Sequence, residues 1–158
     1  MKNIRLLLLL FLSASFALSF NSCIKKGTEE LEPFTKLASV EDFKKGIANQ
    51  GDAAQILDVR SPELYRAGHI PGAINLTATS DNAKDKNGAF TQQVKSLGLN
   101  TGIPVYVYGV GGLPAHDYLA PARVSEAGFG KHRTLLLLGG FNKWIDADYE
   151  IVTGDNPR

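Results

Sequence analysis

Apolar residues along this chain fall into short runs separated by amphipathic segments. The runs at residues 54–60, 104–108 and 135–138 are rich in Ile, Leu, Val and Tyr, and a shorter run covers residues 73–76. Short, nearly continuous apolar runs are typical of strands that are buried on both faces of a parallel sheet. The pattern therefore predicts four strands.

The segments between these runs carry helix signals. Phe43 and Ile47 lie four residues apart, which predicts a helix over residues 40–49. Ser61 followed by Pro62 is an N-cap with proline in the first helical turn. Further helices are predicted around residues 90–97, 118–126 and 141–145, with a polar surface loop over residues 78–88. Strands alternating with helices, without hairpin signals, predict an α/β domain with a mainly parallel sheet and helices on both faces.

The amino terminus differs from the rest of the chain. Lys2 and Arg5 precede an apolar run over residues 6–20, and no acidic residue occurs in residues 1–22. The run is shorter than the about 18–20 residues that a membrane-spanning helix needs. A basic start followed by a short apolar run predicts a secretory signal peptide over residues 1–22.

Cys23 directly follows this segment. The sequence Ser19-Phe20-Asn21-Ser22-Cys23 resembles a bacterial lipoprotein signal, in which cleavage leaves an amino-terminal, lipid-modified cysteine. That resemblance implies a membrane anchor, because several acyl chains hold a domain at a bilayer. It places the protein in the cell envelope, on the inner or outer membrane. The alternative is an ordinary signal peptide followed by an incidental cysteine.

Composition limits the remaining possibilities. The chain has 158 residues, a formal charge of +1 and a single cysteine. The single cysteine excludes an intrachain disulfide framework and a cysteine-cluster metal site. The near-neutral charge gives no electrostatic basis for binding nucleic acid. Residues 23–37 are predicted to be the lipid-attachment site and tether, residues 38–150 a single domain, and residues 151–158 a tail.

Residues 58–75 contain a long motif without gaps, and three later segments accompany it. The motif comprises Asp58-Val59-Arg60, then Glu63 and Tyr65, then Gly68-His69-Ile70-Pro71-Gly72-Ala73 and Asn75. The later segments are residues 104–108, 126–129 and 139–144. Together they resemble a rhodanese domain over about residues 38–147. The resemblance implies a three-layer fold with a central, mainly parallel sheet.

Rhodaneses are sulfurtransferases, so the resemblance also implies a reaction to look for. In that family a cysteine after the central strand carries sulfur as a persulfide, which requires a nucleophilic thiolate. Here Gly109 follows the strand at residues 104–108 and occupies that position. Glycine carries no sulfur, and Cys23 lies in the signal region. The expectation is a rhodanese-like domain without the family's catalytic residue.

The loop after this strand remains a candidate binding site. Gly109, Val110, Gly111 and Gly112 form either a plain flexible turn or a nest of N–H groups for an anion or small ligand. His116 is a candidate acid–base group if the neighbouring carboxylate orients it. Otherwise Asp117 simply caps the next helix.

The motif residues are expected to be mainly structural. Asp58 and Arg60 would join loops through charged hydrogen bonds, and Glu63 is an acid in the first turn of a helix. His69 and Gly72 belong to a tight turn. Asn75 is a similar loop brace, and Phe141 and Trp144 are core residues.

These expectations lead to three functional hypotheses. The first is a secreted, membrane-anchored, non-catalytic module that binds an anion, a small ligand or an envelope protein. The second is an enzyme that reuses the altered loop with His116, and the third is a partner of an active sulfur-carrying protein. No cofactor is expected. No metal is expected either, because His69, His116 and His132 lack the spacing of metal ligands.

Overall fold

The structure is a computed structural model that describes residues 32–155, and its centre is a sheet of five parallel strands. The strands are β1 (Thr35–Leu37), β2 (Gln55–Asp58), β3 (Ala73–Asn75), β4 (Val105–Tyr108) and β5 (Thr134–Leu137). They lie in the order β1-β5-β4-β2-β3. All four strand pairs are parallel. The predicted signal peptide over 1–22, Cys23 and the first part of the tether lie outside the described residues.

Helices cover both faces of the sheet. They are α1 (Val40–Gln50), α2 (Pro62–Ala67), α3 (Ala89–Ser96), α4 (Ala120–Val124) and α5 (Gly140–Asp146). One buried apolar cluster joins α1, α2 and α5 to one face, with Phe43 and Trp144 in it. A second cluster joins α3 and α4 to the other face, with Phe90 and Val124 in it. The predicted three-layer α/β fold is confirmed.

The helix starts follow the sequence signals. The Ser39 hydroxyl accepts a hydrogen bond from the Asp42 N–H at the start of α1, over 3.0 Å. The Ser61 hydroxyl accepts from the Leu64 N–H at the start of α2. Each cap satisfies a backbone donor that the helix leaves unpaired, which stabilises the helix by about 1 kcal/mol.

The amino-terminal boundary of the folded unit differs from the prediction. Thr35–Leu37, which the sequence predicts to be part of the tether, forms strand β1 and pairs with β5. Phe34, just before it, is almost completely buried against the α4 face. The sequence obscures this strand because it is only three residues long, carries a lysine and lies at the sheet edge, where one side needs no apolar cover.

The helical segment around α4 also differs from the prediction. It begins at Ala115 rather than near Tyr118, with wide π-helical turns over Ala115–Leu119 and Ser125–Phe129 on either side of α4. The first wide turn is closed by the Ala120 N–H donating to the Ala115 carbonyl. A wide turn before Pro121 fits the absence of an N–H on that proline.

Two segments outside the helices and strands pack on the domain more closely than their composition suggests. The loop at 78–88 has no helix or strand, as predicted, but Ala78 and Ala83 are buried in the second apolar cluster. Part of the predicted tail packs on the domain, since Val152 and His69 exchange two backbone hydrogen bonds. Within residues 32–155, no helix is long and apolar enough to cross a membrane.

Candidate functional site

The carboxyl ends of β2 and β4 bring the predicted motif and the glycine-rich loop together. Asp58 is the last residue of β2 and pairs in register with Tyr108, the last residue of β4. Arg60 follows one strand and Gly109 follows the other. In parallel sheets, ligands bind outside the carboxyl ends of strands, so this edge is the candidate site.

Asp58 and Arg60 form a buried ion pair at this edge. Arg60 donates from Nε to Asp58 Oδ1 over 2.9 Å and from Nη2 to Asp58 Oδ2 over 2.5 Å. Nη2 also donates to the Gly68 carbonyl over 2.6 Å. The pair therefore holds the end of β2 against the end of α2. Asn75 contributes to the same joint by donating to the Asp58 and Arg60 carbonyls.

Two aromatic rings lie close to the Arg60 guanidinium. Its Cζ lies 3.8 Å from the centre of the Phe141 ring and 5.5 Å from that of Tyr108. Tyr108 is completely buried, and its hydroxyl accepts from the Ile70 N–H over 3.1 Å. Burial, and then the Asp58 charge, raise the pKa of Tyr108 far above its ordinary value. Tyr108 therefore stays neutral in the folded protein.

The turn after α2 matches the expected role of the motif. His69 is buried, its Nδ1 lies 2.9 Å from the Tyr65 carbonyl, and its ring stacks on that of Tyr65. Gly72 has a φ of 84°, a conformation that favours glycine. Glu63 is exposed in the first turn of α2, and its own backbone N–H and the Ser61 hydroxyl lower its pKa. These residues shape the turn.

The loop after β4 approaches the start of α5 very closely. The Gly109 carbonyl accepts from the Phe141 N–H over 2.8 Å. Gly111 has a φ of 84°, and a Cβ there would lie 2.6 Å from the Gly139 carbonyl oxygen. Glycine is therefore required at 111 both for backbone conformation and for space. The loop is held in place by neighbouring backbone.

His116 occupies the space where a side chain on residue 109 would lie. A Cβ on Gly109 would overlap the His116 Cβ and would come within 2.9 Å of Cγ and 3.0 Å of Nδ1. The His116 side chain is buried, with 7% of the residue exposed. The imidazole thus fills the volume beside the end of β4.

The environment of His116 favours the neutral imidazole. Burial lowers its pKa, opposed by a hydrogen bond to the Ala78 backbone and by the charges of Asp117 and Asp58. The Val110 N–H donates to its Nδ1 over 3.4 Å, which requires an unprotonated Nδ1. His116 therefore acts as an acceptor for the loop.

The Asp117 carboxylate hydrogen-bonds to the loop backbone and not to His116. Its Oδ2 accepts a short hydrogen bond from the Gly112 N–H, while no hydrogen bond joins it to His116 among the described residues. A carboxylate of the chain thus lies on one loop amide and an imidazole on another. Two N–H groups of the predicted anion nest, those of Val110 and Gly112, therefore already donate hydrogen bonds to side chains of the same chain.

The histidines do not form a metal site. Across residues 32–155, no cluster of three His, Cys, Asp or Glu side chains is arranged to hold a metal ion. His69 and His116 have separate partners, and His132 lies exposed before β5.

A cavity of about 320 Å³ opens beside the site. It lies between α2, α5 and residue 151, and Val110 of the loop contributes to its wall. Arg60 and Phe141 also line it, so the cavity touches the same ion pair and ring. Sequence reasoning missed this cavity, although Leu64 and Ile145 are apolar residues on the polar sides of their short helices, at 46% and 48% exposure. Apolar residues at helix positions where polar ones are expected are the sequence signal that could have indicated this cavity.

The family comparison agrees with this architecture. The sequence model of the rhodanese-like domain matches residues 39–147. No curated protein shows significant sequence similarity to the chain.

Solved structures give the same result. A rhodanese-like domain from Anabaena sp. is 25% identical with a TM-score of 0.54, and the match covers 79% of this chain and 82% of that one. A thiosulfate sulfurtransferase from Pseudomonas aeruginosa is 19% identical with a TM-score of 0.53, over 77% of this chain and 20% of that one. A protein from Bacillus halodurans is 21% identical with a TM-score of 0.53, over 78% and 79%. The chain belongs to the rhodanese-like domain family.

Proposed function

We propose that this protein is a non-catalytic rhodanese-like domain that serves as a binding or interaction module in the bacterial cell envelope. The observation that carries the proposal is the position of His116, which fills the space beside Gly109. By resemblance, Gly109 stands where the family has its sulfur-carrying cysteine. Sulfur transfer needs a thiolate and room for the bound sulfur, and here a glycine and a buried imidazole replace both.

The engagement of the loop amides supports the same proposal. The Val110 and Gly112 N–H groups donate to His116 and Asp117. In an anion-binding nest such N–H groups point at the ligand. The loop is stabilised by the chain's own side chains, which favours a structural role for His116 over acid–base catalysis.

The proposal is tested by a thiosulfate:cyanide sulfurtransferase assay on the full chain. An active sulfurtransferase serves as the positive control, and a heat-inactivated sample of this protein as the negative control. We expect turnover equal to the negative control. Turnover clearly above it that persists in the Cys23→Ser variant would show catalysis within the folded domain and contradict the proposal.

The envelope location is a separate part of the proposal and rests on residues 1–23. We propose that the signal peptide is removed and that Cys23 is lipid-modified. Mass spectrometry of protein extracted from membranes should show a chain that begins at Cys23 with added acyl mass. Cys23→Ser should release the domain from the membrane fraction, whereas the control Ser22→Ala should not. An unmodified start at another residue would contradict lipid attachment.

A further inference from the structure

The cavity beside Arg60 has the composition of a site for a small amphiphilic ligand. Five large apolar side chains among the described residues are well exposed, and three of them line this cavity: Leu64 (46%), Ile145 (48%) and Ile151 (42%). They come from α2, α5 and the segment after α5. Clustered exposed apolar side chains around a concavity mark a binding site more than scattered ones do.

Arg60 is the one charged residue that lines this largely apolar cavity. Arg60 uses Nε and Nη2 for Asp58 and Gly68, while its Nη1 donates no hydrogen bond to any residue in the described part of the chain. The residue is only 3% exposed, and the Phe141 ring lies against its guanidinium. The Asn142 amide lines the cavity as well and reaches the Val110 carbonyl over 3.4 Å.

We propose that this cavity binds a small organic anion with an apolar body, such as a medium-chain carboxylate. The apolar body would contact Leu64, Ile145 and Ile151, and the anionic head would accept a hydrogen bond from Arg60 Nη1. At about 30 Å³ per heavy atom, taken from the volume of a water molecule, the cavity holds a ligand of about ten heavy atoms. Octanoate has this size and polarity.

This inference rests on the proposed binding role and assigns it a ligand class. The two can fail independently, because sulfurtransferase turnover and carboxylate binding are separate measurements. Turnover with intact carboxylate binding would overturn only the non-catalytic proposal. Absence of binding without turnover would overturn only the ligand proposal.

The test compares octanoate, octanamide and octylammonium by calorimetry and by ¹H–¹⁵N NMR titration of the full chain. A charge-assisted hydrogen bond predicts that octanoate binds about tenfold more tightly than octanamide, and octylammonium most weakly. Shifts should centre on residues of α2, α5 and Val110. Equal binding of the three ligands would overturn the anionic preference, and no saturable octanoate binding at millimolar concentration would overturn the site.

Matched variants locate the site. Ile145→Ser should weaken octanoate binding at least several-fold, because it removes an apolar wall. Leu113→Ser is the control, since Leu113 is also 48% exposed but does not line the cavity. An unchanged affinity in Ile145→Ser would place binding elsewhere and overturn the assignment. Self-association that Ile145→Ser abolishes, without octanoate binding, would assign the surface to a second copy of the chain and also overturn it.

Discussion

The His116 side chain fills the space that a side chain on Gly109 would occupy. A Cβ there would overlap the His116 Cβ and approach its Cγ to 2.9 Å. Gly109 does not have a φ in the left-handed region, so its backbone conformation by itself accepts other residues. The three atoms nearest to such a Cβ all belong to His116, so we expect the two positions to be energetically coupled.

Gly109→Ala is accordingly expected to destabilise the protein by about 1–3 kcal/mol, the usual range for overpacking. In a His116→Gly background the same substitution should cost much less, because the His116 Cβ, Cγ and Nδ1 that a Cβ at 109 would meet are all removed. Urea unfolding of the wild type, the two single variants and the double variant measures this coupling. Additive effects of the two substitutions would show that the histidine is not the obstacle.

Gly109 and His116 illustrate which features the sequence predicts and which it does not. Apolar runs predict β2, β4 and β5, since buried strands need apolar side chains on both faces. The strand at residues 104–108 and the glycines that follow it predict the edge at which the site lies. The entry of His116 into the space beside Gly109 depends on the wide helical turn that begins at Ala115, and no local pattern encodes that width.

The cavity and strand β1 escaped prediction for a related reason. Leu64 and Ile145 lie on the exposed sides of short helices, and only the tertiary structure brings them together with Ile151. Strand β1 has three residues, and its pairing with β5 spans about a hundred positions of sequence. Long-range contacts of this kind leave little trace in local periodicity.

Removal of Arg60 is expected to destabilise the fold strongly. Arg60→Met leaves the fully buried Asp58 carboxylate without its partner, which typically costs about 3–5 kcal/mol. Arg66→Met is the matched control, because the Arg66–Asp155 pair is exposed and such pairs contribute about 0–1 kcal/mol. Urea denaturation compares the two. A similar small loss in both variants would refute a structural role for the buried pair.

Tyr108→Phe removes a buried hydroxyl that accepts from the Ile70 N–H and also hydrogen-bonds to Asp58. The substitution leaves the Ile70 N–H without its acceptor, and an unsatisfied buried donor costs about 1–3 kcal/mol. Tyr118→Phe is the control, since Tyr118 is 46% exposed. Chemical unfolding should show the loss for Tyr108→Phe only. Equal stability of the two variants would mean that water or another group replaces the hydroxyl without cost.

The buried histidine predicts a pH dependence of stability. Burial lowers the pKa of His116 in the folded protein below the ordinary value of 6.5, so the unfolded chain takes up a proton first as the pH falls. Stability due to the neutral imidazole is therefore fully present above about pH 6.5. It is lost progressively as the pH drops through the folded pKa.

Variants at two histidines test this slope. His116→Gln should flatten the fall in unfolding free energy between neutral and mildly acidic pH, because glutamine does not titrate. His132→Gln is the matched control for the substitution itself, since His132 is exposed and lies outside the site. Urea unfolding at several pH values gives the three slopes. If His116→Gln keeps the slope of the wild type, the imidazole is not the group that titrates, and the neutral form assigned from its contact with the Val110 N–H is wrong.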